Sequence, residues 1–230
     1  MTSHQHKTIF VHIPKCGGQS IEHMFLADLG LAWKDKSCLL MRKRKIAEHG
    51  PPKLGHLIAS DYVACGYIDA DLFNAYYKFS IVRNPLNRLQ SAYNYLGFRD
   101  LVSFSYFVNN IVASNLKNKD SWFWFLRPQV DFILDKNQQL LVNQVFKIEN
   151  LSDGIATIIE RSGLSGQQLL HVNQSSQLGL SSRMLRATKL AIKEKLPFSA
   201  ILNRNSTACD QQTKSRIEQM YAADYEYLGY

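Results

Sequence analysis

A short apolar segment that ends at a proline and leads into a glycine-rich turn constrains the fold of this chain most. Residues 7–13 are apolar and rich in β-branched side chains, which predicts a strand buried in a parallel sheet. A helical pattern begins at Gly18 or Gln19 and ends near Gly30. Because glycines let backbone N–H groups approach a ligand, a strand, such a turn and a helix N-terminus together predict a site for a phosphate-like anion.

The turn reads Pro14-Lys15-Cys16-Gly17-Gly18-Gln19-Ser20. Its lysine offers a point charge to an anion, and its serine offers a hydroxyl. The lysine precedes the glycines, so the turn is not the G-x-x-x-x-G-K-[ST] loop of nucleotide triphosphatases, and it is not G-x-G-x-x-G either. The sequence therefore predicts an anion site that differs from both common nucleotide-binding loops.

Strands that alternate with helices indicate a single α/β domain over residues 1–230. The other predicted strands cover residues 54–58, 77–82 and 145–148, with a hairpin over 130–142. The other predicted helices cover residues 60–65, 69–76, 85–96, 151–162 and 210–227, and residues 100–126 are mostly helical by pattern. Residues 165–209 are expected to carry a lid or an acceptor loop.

Two segments resemble the donor-binding motifs of carbohydrate sulfotransferases that use 3′-phosphoadenosine 5′-phosphosulfate (PAPS). Residues 13–20 are similar to the 5′-phosphosulfate loop of that family, and residues 79–93 are similar to its 3′-phosphate site. The likeness is greatest to the branch with bacterial members and heparan sulfate 2-O-sulfotransferases, which residues 127–133, 147–151 and 221–230 also fit. The resemblance implies a parallel sheet flanked by helices, in the P-loop-NTPase-like sulfotransferase fold.

The resemblance also implies an O-sulfotransferase that moves a sulfo group from PAPS to a carbohydrate hydroxyl and releases adenosine 3′,5′-bisphosphate without a metal. Lys15 would stabilise the leaving phosphate. The family usually has threonine at the positions of Cys16 and Gln19, which leaves the sulfate contacts open. The implied donor-binding residues are Lys15, Cys16, Gly17, Gly18, Gln19, Ser20, Arg83 and Ser91.

A histidine is the expected general base, because a sugar hydroxyl must lose its proton near neutral pH. His56 stands where the branch carries its catalytic histidine, and Glu22 is an alternative base. Among the other histidines, His12 and His171 are predicted to have structural roles. The roles of His23 and His49 stay open, and His4 and His6 are predicted to lie in a loose terminus.

Several further side chains have two interpretations. Arg127 binds an anionic acceptor group or pairs with Asp131, and residues 42–45 bind an acidic glycan or form a solvated surface. Trp122 and Trp124 stack on sugars or belong to a buried helix. A structural role is expected for Arg88, as part of an ion pair, and for Glu149.

Composition narrows the partners and the compartment. The net charge of +8 suits a polyanionic partner, and no nucleic-acid-binding motif accompanies it. The four cysteines form no C-x-x-C pair, which predicts free thiols rather than zinc, and Cys16 is either a reactive thiol or a small residue in a tight turn. No apolar run reaches about 20 residues and no secretory segment is present. We therefore expect a cytoplasmic, bacterial protein without a membrane span.

Three other functions stay open at the level of sequence. Cys16 and Gln19 favour a catalytically degenerate protein that binds a nucleotide or a glycan. A phosphoryl-transfer enzyme is disfavoured by the missing triphosphatase loop. Nucleic-acid binding has only the net charge in its favour.

Overall fold

The structure is a computed structural model that describes residues 1–165, 180–202 and 209–230. The chain divides into two compact units. The first comprises Met1–Arg83 and Pro128–Asn173, and the second comprises Asn84–Arg127 and Gln174–Tyr230. A single sulfotransferase domain over residues 1–230 stays a prediction.

The described strands are β1 (Thr2–Ser3), β2 (Thr8–Val11), β3 (Tyr77–Val82) and β4 (Gln144–Lys147). The α-helices are α1 (Gly18–Asp28), α2 (Asp61–Ala64), α3 (Ala70–Ala75), α4 (Pro85–Leu96), α5 (Phe104–Tyr106), α6 (Ala113–Asn118), α7 (Phe123–Leu126), α8 (Val130–Ile133), α9 (Leu151–Ser162), α10 (Leu180–Lys193), α11 (Phe198–Leu202), α12 (Gln211–Met220) and α13 (Ala222–Leu228). Turns of 3₁₀-helix cover Trp33–Leu39, Leu54–His56, Phe98–Asp100 and Ile148–Asn150, and a π-helical segment covers Phe107–Val112.

The first unit is built on a four-stranded sheet in the order β1-β2-β3-β4. Strands β2, β3 and β4 are parallel, as the sequence predicts, and β1 adds an antiparallel edge that the sequence did not predict. Val11 lies opposite Ser80 in the β2–β3 ladder, so both strands end at the same edge. The segments that follow β2 and β3 therefore begin side by side, which brings the loop after Pro14 close to Arg83.

Aromatic packing fixes the helices of this unit on the sheet. Phe10 of β2 stacks on Phe79 of β3 with ring centroids 4.9 Å apart, and both rings are buried. In α9, a Cβ at Gly154 would collide with the ring of Phe146, so the helix backbone lies directly against β4. Burial on both faces explains the apolar character of the central strands β2 and β3, whereas β4 at the edge of the sheet is half-buried.

The second unit has a helical core rich in aromatic residues. The Tyr221 hydroxyl donates to Leu126 O at 2.6 Å, and the buried guanidinium of Arg88 donates to the carbonyls of Phe125 and Arg127 at 2.8 and 2.9 Å. These bonds hold segments that are distant in sequence, so Arg88 has a structural role. The core includes Leu89, Tyr93, Leu96, Phe98, Phe104, Phe107, Val112, Phe125 and Ile217.

Three sequence predictions of secondary structure are wrong. The segment 54–58 is not a strand, since Leu54–His56 form a 3₁₀ turn, and the predicted first strand of the hairpin is α8, with only the Leu134–Leu140 bridge retained. The predicted final helix is divided at Tyr221 into α12 and α13. A short apolar run does not distinguish a strand from a buried turn, because burial alone selects its side chains.

The N-terminal residues are also not loose. Thr2 and Ser3 pair with β2, and both are buried. His6 Nε2 lies 2.8 Å from Asp28 Oδ2, and His4 Nδ1 lies 2.9 Å from the Tyr76 hydroxyl. Both histidines therefore hold secondary structure together.

Candidate functional site

The loop between β2 and α1 has the backbone shape of an anion site. Lys15 and Gly17 have φ angles of 69° and 77°, with Cys16 between them. Such a left-handed conformation turns successive N–H groups toward one point. Gly17 is the N-cap of α1, and among the described residues no side chain caps this helix and no acidic residue stands in its first turn. The positive end of the helix dipole is thus available to an anion.

Close packing behind the loop explains both glycines. A Cβ at Gly18 would collide with the ring of His12 and would lie 2.8 Å from Phe10 Cε1. A Cβ at Gly17 would lie 2.5 Å from Ile148 Cδ1, in addition to the strain of its positive φ. The loop backbone is therefore held against the ends of the strands, at a place that only glycine allows.

Cations converge on this loop. Arg83, directly after β3, donates from Nη1 to Lys15 O at 3.4 Å. Burial lowers the pKa of Lys15, and the charges of Arg83 and Lys53 lower it further. Gathering like charges costs free energy unless an anion binds among them. The arrangement is therefore suited to a ligand with several negative charges.

The other loop side chains differ in their surroundings. Cys16 is 1% exposed, and its thiol donates to Gln129 Oε1 at 3.2 Å. This burial favours a small residue in a tight turn over a reactive thiol, because an oxidant cannot reach the sulfur. Ser20 is buried in the first turn of α1, whereas Gln19 beside it is exposed.

His56 lies beside a buried Glu22–His12 pair. His12 Nδ1 is 2.6 Å from Glu22 Oε1, and the His12 and His56 rings meet edge to face with centroids 4.5 Å apart. Burial opposes ionisation of Glu22, but the interaction with His12 lowers the pKa of this carboxyl below its usual value. The pair is thus a buried carboxylate held by an imidazole.

The ring of His56 is fixed in one tautomer. Its Nδ1–H donates to His12 O at 2.9 Å, so Nε2 is the basic nitrogen. Burial and the neighbouring His12 lower the pKa of His56 to about 3, against the opposing effects of the bond to His12 O and of Glu22. His56 is therefore neutral at pH 7, the state in which a general base can accept a proton, and a pKa this far below 7 also makes it a weak base in this structure.

The structure brings together Lys15, Cys16, Gly17, Gly18, Arg83 and His56 within the first unit. Ser91 lies on α4 of the second unit. His23 stacks on Trp33 with centroids 4.3 Å apart, and His49 is exposed. Glu149 is exposed in the turn after β4, and His171 lies outside the described residues.

Three of the open aromatic and cationic candidates, Trp122, Trp124 and Arg127, belong to the second unit. Trp122 Nε1 donates to Glu194 Oε1 at 2.9 Å, and Trp122 and Trp124 both pack against the helical core. The Arg127 guanidinium lies 5.0 Å from the centre of the Phe123 ring. These contacts favour the buried-helix interpretation of the two tryptophans.

Residues 42–53 form an ordered basic loop. The guanidinium of Arg42 makes two bonds to the Glu48 carboxylate at 2.6 and 2.7 Å, and Lys45 N–H donates to the same carboxylate at 2.7 Å. Lys43, Arg44 and Lys45 are exposed. Glu48 thus shapes the loop and offsets the charge of Arg42.

Two residues in this region were not candidates at the level of sequence. Lys53 acts electrostatically on both Lys15 and His56, although no motif includes it. Gln129 is completely buried and bonds to both Cys16 and Arg83. Lys53 has no local sequence signal, and the family-like segment 127–133 does not indicate which groups Gln129 contacts, because these contacts join segments that are distant along the chain.

The part of the chain that the structure describes lacks both metal-binding clusters and membrane-spanning helices. Residues 1–165, 180–202 and 209–230 contain no cluster of three or more His, Cys, Asp or Glu side chains that could hold a metal ion. Within the same ranges, no helix combines the length and the apolar character needed to cross a membrane.

Comparison with known proteins identifies the family. The model of the Sulfotransferase family matches residues 1–230, which is the whole chain. No curated protein and no solved structure matches it. The family match covers the anion loop, Arg83 and His56 together, and this chain accordingly belongs to the sulfotransferase family.

Proposed function

We propose that this protein transfers a sulfo group from PAPS to a hydroxyl of a carbohydrate. Membership of the sulfotransferase family supports a transferase of sulfo groups, and the family generally uses PAPS as donor. The observation that carries the proposal is the convergence of the glycine loop, Lys15 and Arg83 where β2 and β3 end. This arrangement offers N–H groups and two cations to one ligand with several negative charges.

In the proposed donor site, two groups of residues bind different parts of PAPS. Residues 15–20 would hold the 5′-phosphosulfate through Lys15, the backbone N–H groups of Gly17, Gly18 and Gln19, and the Ser20 hydroxyl, whereas the Cys16 N–H donates to Ile13 O at 3.4 Å and holds the turn itself. Arg83 would bind the 3′-phosphate, because its planar guanidinium can pair with two phosphate oxygens. Ser91 is proposed as a second ligand of that phosphate from its place in the sequence motif.

In the proposed reaction the acceptor oxygen attacks sulfur while the bond from sulfur to the bridging phosphate oxygen breaks. Lys15 would stabilise the negative charge that develops on the leaving phosphate. His56 Nε2 would accept the proton of the hydroxyl, and the buried charge of Glu22 would favour the imidazolium that results. Glu22 is a weaker candidate base, because its carboxylate is buried and bonded to His12.

The proposed acceptor is an anionic carbohydrate. Glu48 offsets Arg42, whereas Lys43, Arg44 and Lys45 are exposed on the same loop. Lys53, at the other end of the loop, acts electrostatically on Lys15 and His56. The basic loop therefore runs from the surface to the proposed catalytic groups, and a chain of acidic sugars could follow it.

The test is transfer of label from ³⁵S-PAPS to a panel of neutral and acidic polysaccharides, with wild type and the His56→Ala and His49→Ala variants. We expect labelled product with wild type, and a loss of at least about a hundredfold in rate for His56→Ala only, since general bases typically contribute that much. Wild-type protein that binds donor but labels no acceptor would favour a degenerate binding protein. An unchanged rate for His56→Ala would remove His56 as the base.

A further inference from the structure

The buried side chain of Gln129 connects the two halves of the proposed donor site. Gln129 follows Pro128 and precedes α8, and its side chain is 0% exposed. Its Nε2 donates to Arg83 O at 2.8 Å, and its Oε1 accepts from Arg83 N–H at 2.9 Å. The same oxygen accepts from the Cys16 thiol at 3.2 Å. One amide group thus contacts both the loop and the residue directly after β3.

The two bonds from Gln129 to the Arg83 backbone are of the kind that a neighbouring strand would make. The β3 ladder to β2 reaches Ser80, and its ladder to β4 reaches Val82. Arg83 is the next residue, where the backbone leaves the sheet. A primary amide presents one N–H and one C=O as a peptide does, so Gln129 extends the hydrogen-bonding pattern by one residue and fixes the direction of the Arg83 backbone.

The bond between Gln129 and Cys16 connects the loop between β2 and α1 to the Arg83 backbone. Cys16 stands between Lys15 and Gly17, the two positions with positive φ. A buried amide group is costly to leave without its hydrogen bonds, so a movement of either segment away from Gln129 carries a penalty. The distance between the loop and Arg83 is therefore set by a side chain that binds no ligand itself.

We propose that Gln129 is a positioning residue that fixes the spacing of the two anion-binding groups, and thereby selects a nucleotide with both a 5′- and a 3′-phosphate. This inference rests on the proposed function. When both groups are held at the correct distance, the second phosphate binds without further ordering of the protein. Without the Gln129 side chain, the loop and Arg83 can each still bind one phosphate. A nucleotide with both phosphates then has a smaller gain in affinity over one with a single phosphate.

The experiment compares calorimetric dissociation constants for adenosine 3′,5′-bisphosphate and adenosine 5′-phosphate. Gln129→Met keeps the length of the side chain and removes its hydrogen bonds. We expect the bisphosphate to bind at least about tenfold more weakly to this variant and the monophosphate to change by less than about threefold, as for the loss of pre-organisation. A merely structural role would weaken both nucleotides equally, and that result, or no change in either, would overturn the inference.

A second pair of variants keeps the test decisive if Gln129→Met does not fold. Cys16→Ser retains a donor to Gln129 Oε1, and Cys16→Ala removes it. We expect Cys16→Ala to lose part of the preference for the bisphosphate and Cys16→Ser to keep it. Equal behaviour of these two variants would contradict the inference. If wild-type protein binds neither nucleotide, the proposed function fails, and the inference fails with it.

Discussion

At the scale of single residues, His56 connects the fold to the proposed chemistry. Its proton position is fixed by the carbonyl of His12, and its basicity is set by burial and by the charges around it. The unfolded chain has no such surroundings, so the imidazole binds a proton there at its ordinary pKa near 6.5. Protonation therefore favours the unfolded state wherever the folded pKa lies below the unfolded one.

This difference predicts a stability loss in acid. Between pH 6.5 and about 3 the unfolded state holds a proton on His56 that the folded state lacks, so the free energy of unfolding decreases as pH falls. One proton contributes at most about 1.4 kcal/mol per pH unit. We expect His56→Gln to show a smaller decrease in Tm than wild type between pH 7 and pH 4. A steeper or equal decrease would contradict the lowered pKa.

Glu22 also makes the folded state less stable as pH falls, both in wild type and in the His56→Gln variant. Its pKa is lowered in the folded state, so its stabilising contribution is present above the unfolded pKa and disappears as pH falls through the folded value. Comparison of wild type with His56→Gln removes most of this shared contribution, because His56 has the smallest of the effects that lower the Glu22 pKa. His49→Gln, at an exposed position, serves as the matched control.

At the scale of elements, the turn between β2 and α1 requires glycine at position 18 because of close packing, and not because of its backbone conformation. Gly18→Ala would place a methyl group against the rings of Phe10, in β2, and His12, directly after it, and both rings are buried and closely packed. We expect a loss of roughly 1–3 kcal/mol in the free energy of unfolding, as for overpacking. Donor affinity should also decrease by at least about tenfold, because the loop backbone must move away from the strands.

Gly30→Ala is the matched control for this prediction. Gly30 has a φ of 69°, and a methyl group there would meet no packed neighbour within 4 Å among the described residues. Its replacement should cost roughly 1–2 kcal/mol from backbone conformation alone. Donor affinity should not change. Equal effects of the two variants on donor affinity would show that general destabilisation, rather than the loop, accounts for the loss.

The basic loop over residues 42–53 makes a separate prediction about the acceptor. A variant in which Lys43, Arg44 and Lys45 are all serine should leave the affinity for adenosine 3′,5′-bisphosphate unchanged and raise KM for an acidic polysaccharide by about tenfold at low salt. The loss should shrink as ionic strength rises. A control variant removes the same charge at three exposed lysines elsewhere, Lys34, Lys136 and Lys214. Equal KM values for the two variants would contradict a role of the loop.

At the scale of the whole molecule, the sequence predicts elements well where local chemistry is sufficient. The apolar run before Pro14 and the glycines after it predict β2 and α1, and Pro85 marks the start of α4 as expected. Gly163 ends α9 at the predicted residue. In each case the signal lies within a few residues, since a strand, a cap or a proline acts on its own neighbours.

Contacts between distant segments could not be predicted in this way. Gln129 bonds to Cys16 across 113 positions, and no periodicity or motif links the two. His56 was identified as a candidate, yet Leu54–His56 form a 3₁₀ turn, and the buried Leu54 and Leu57 beside it explain why the apolar pattern resembles that of a strand. The sequence therefore predicted most of the candidate residues, and the structure supplied the bonds that hold the described ones in place.

The most direct test of this account is titration calorimetry with adenosine 3′,5′-bisphosphate, and in parallel with ADP and Mg²⁺. Wild-type protein should bind the bisphosphate more tightly than ADP. Arg83→Ala should lose about ten- to a hundredfold in affinity, as expected for a hydrogen bond to a charged group, whereas Arg161→Ala, at an exposed arginine of the same unit, should not. No binding of the bisphosphate to wild type, or a preference for ADP with Mg²⁺, would contradict the account.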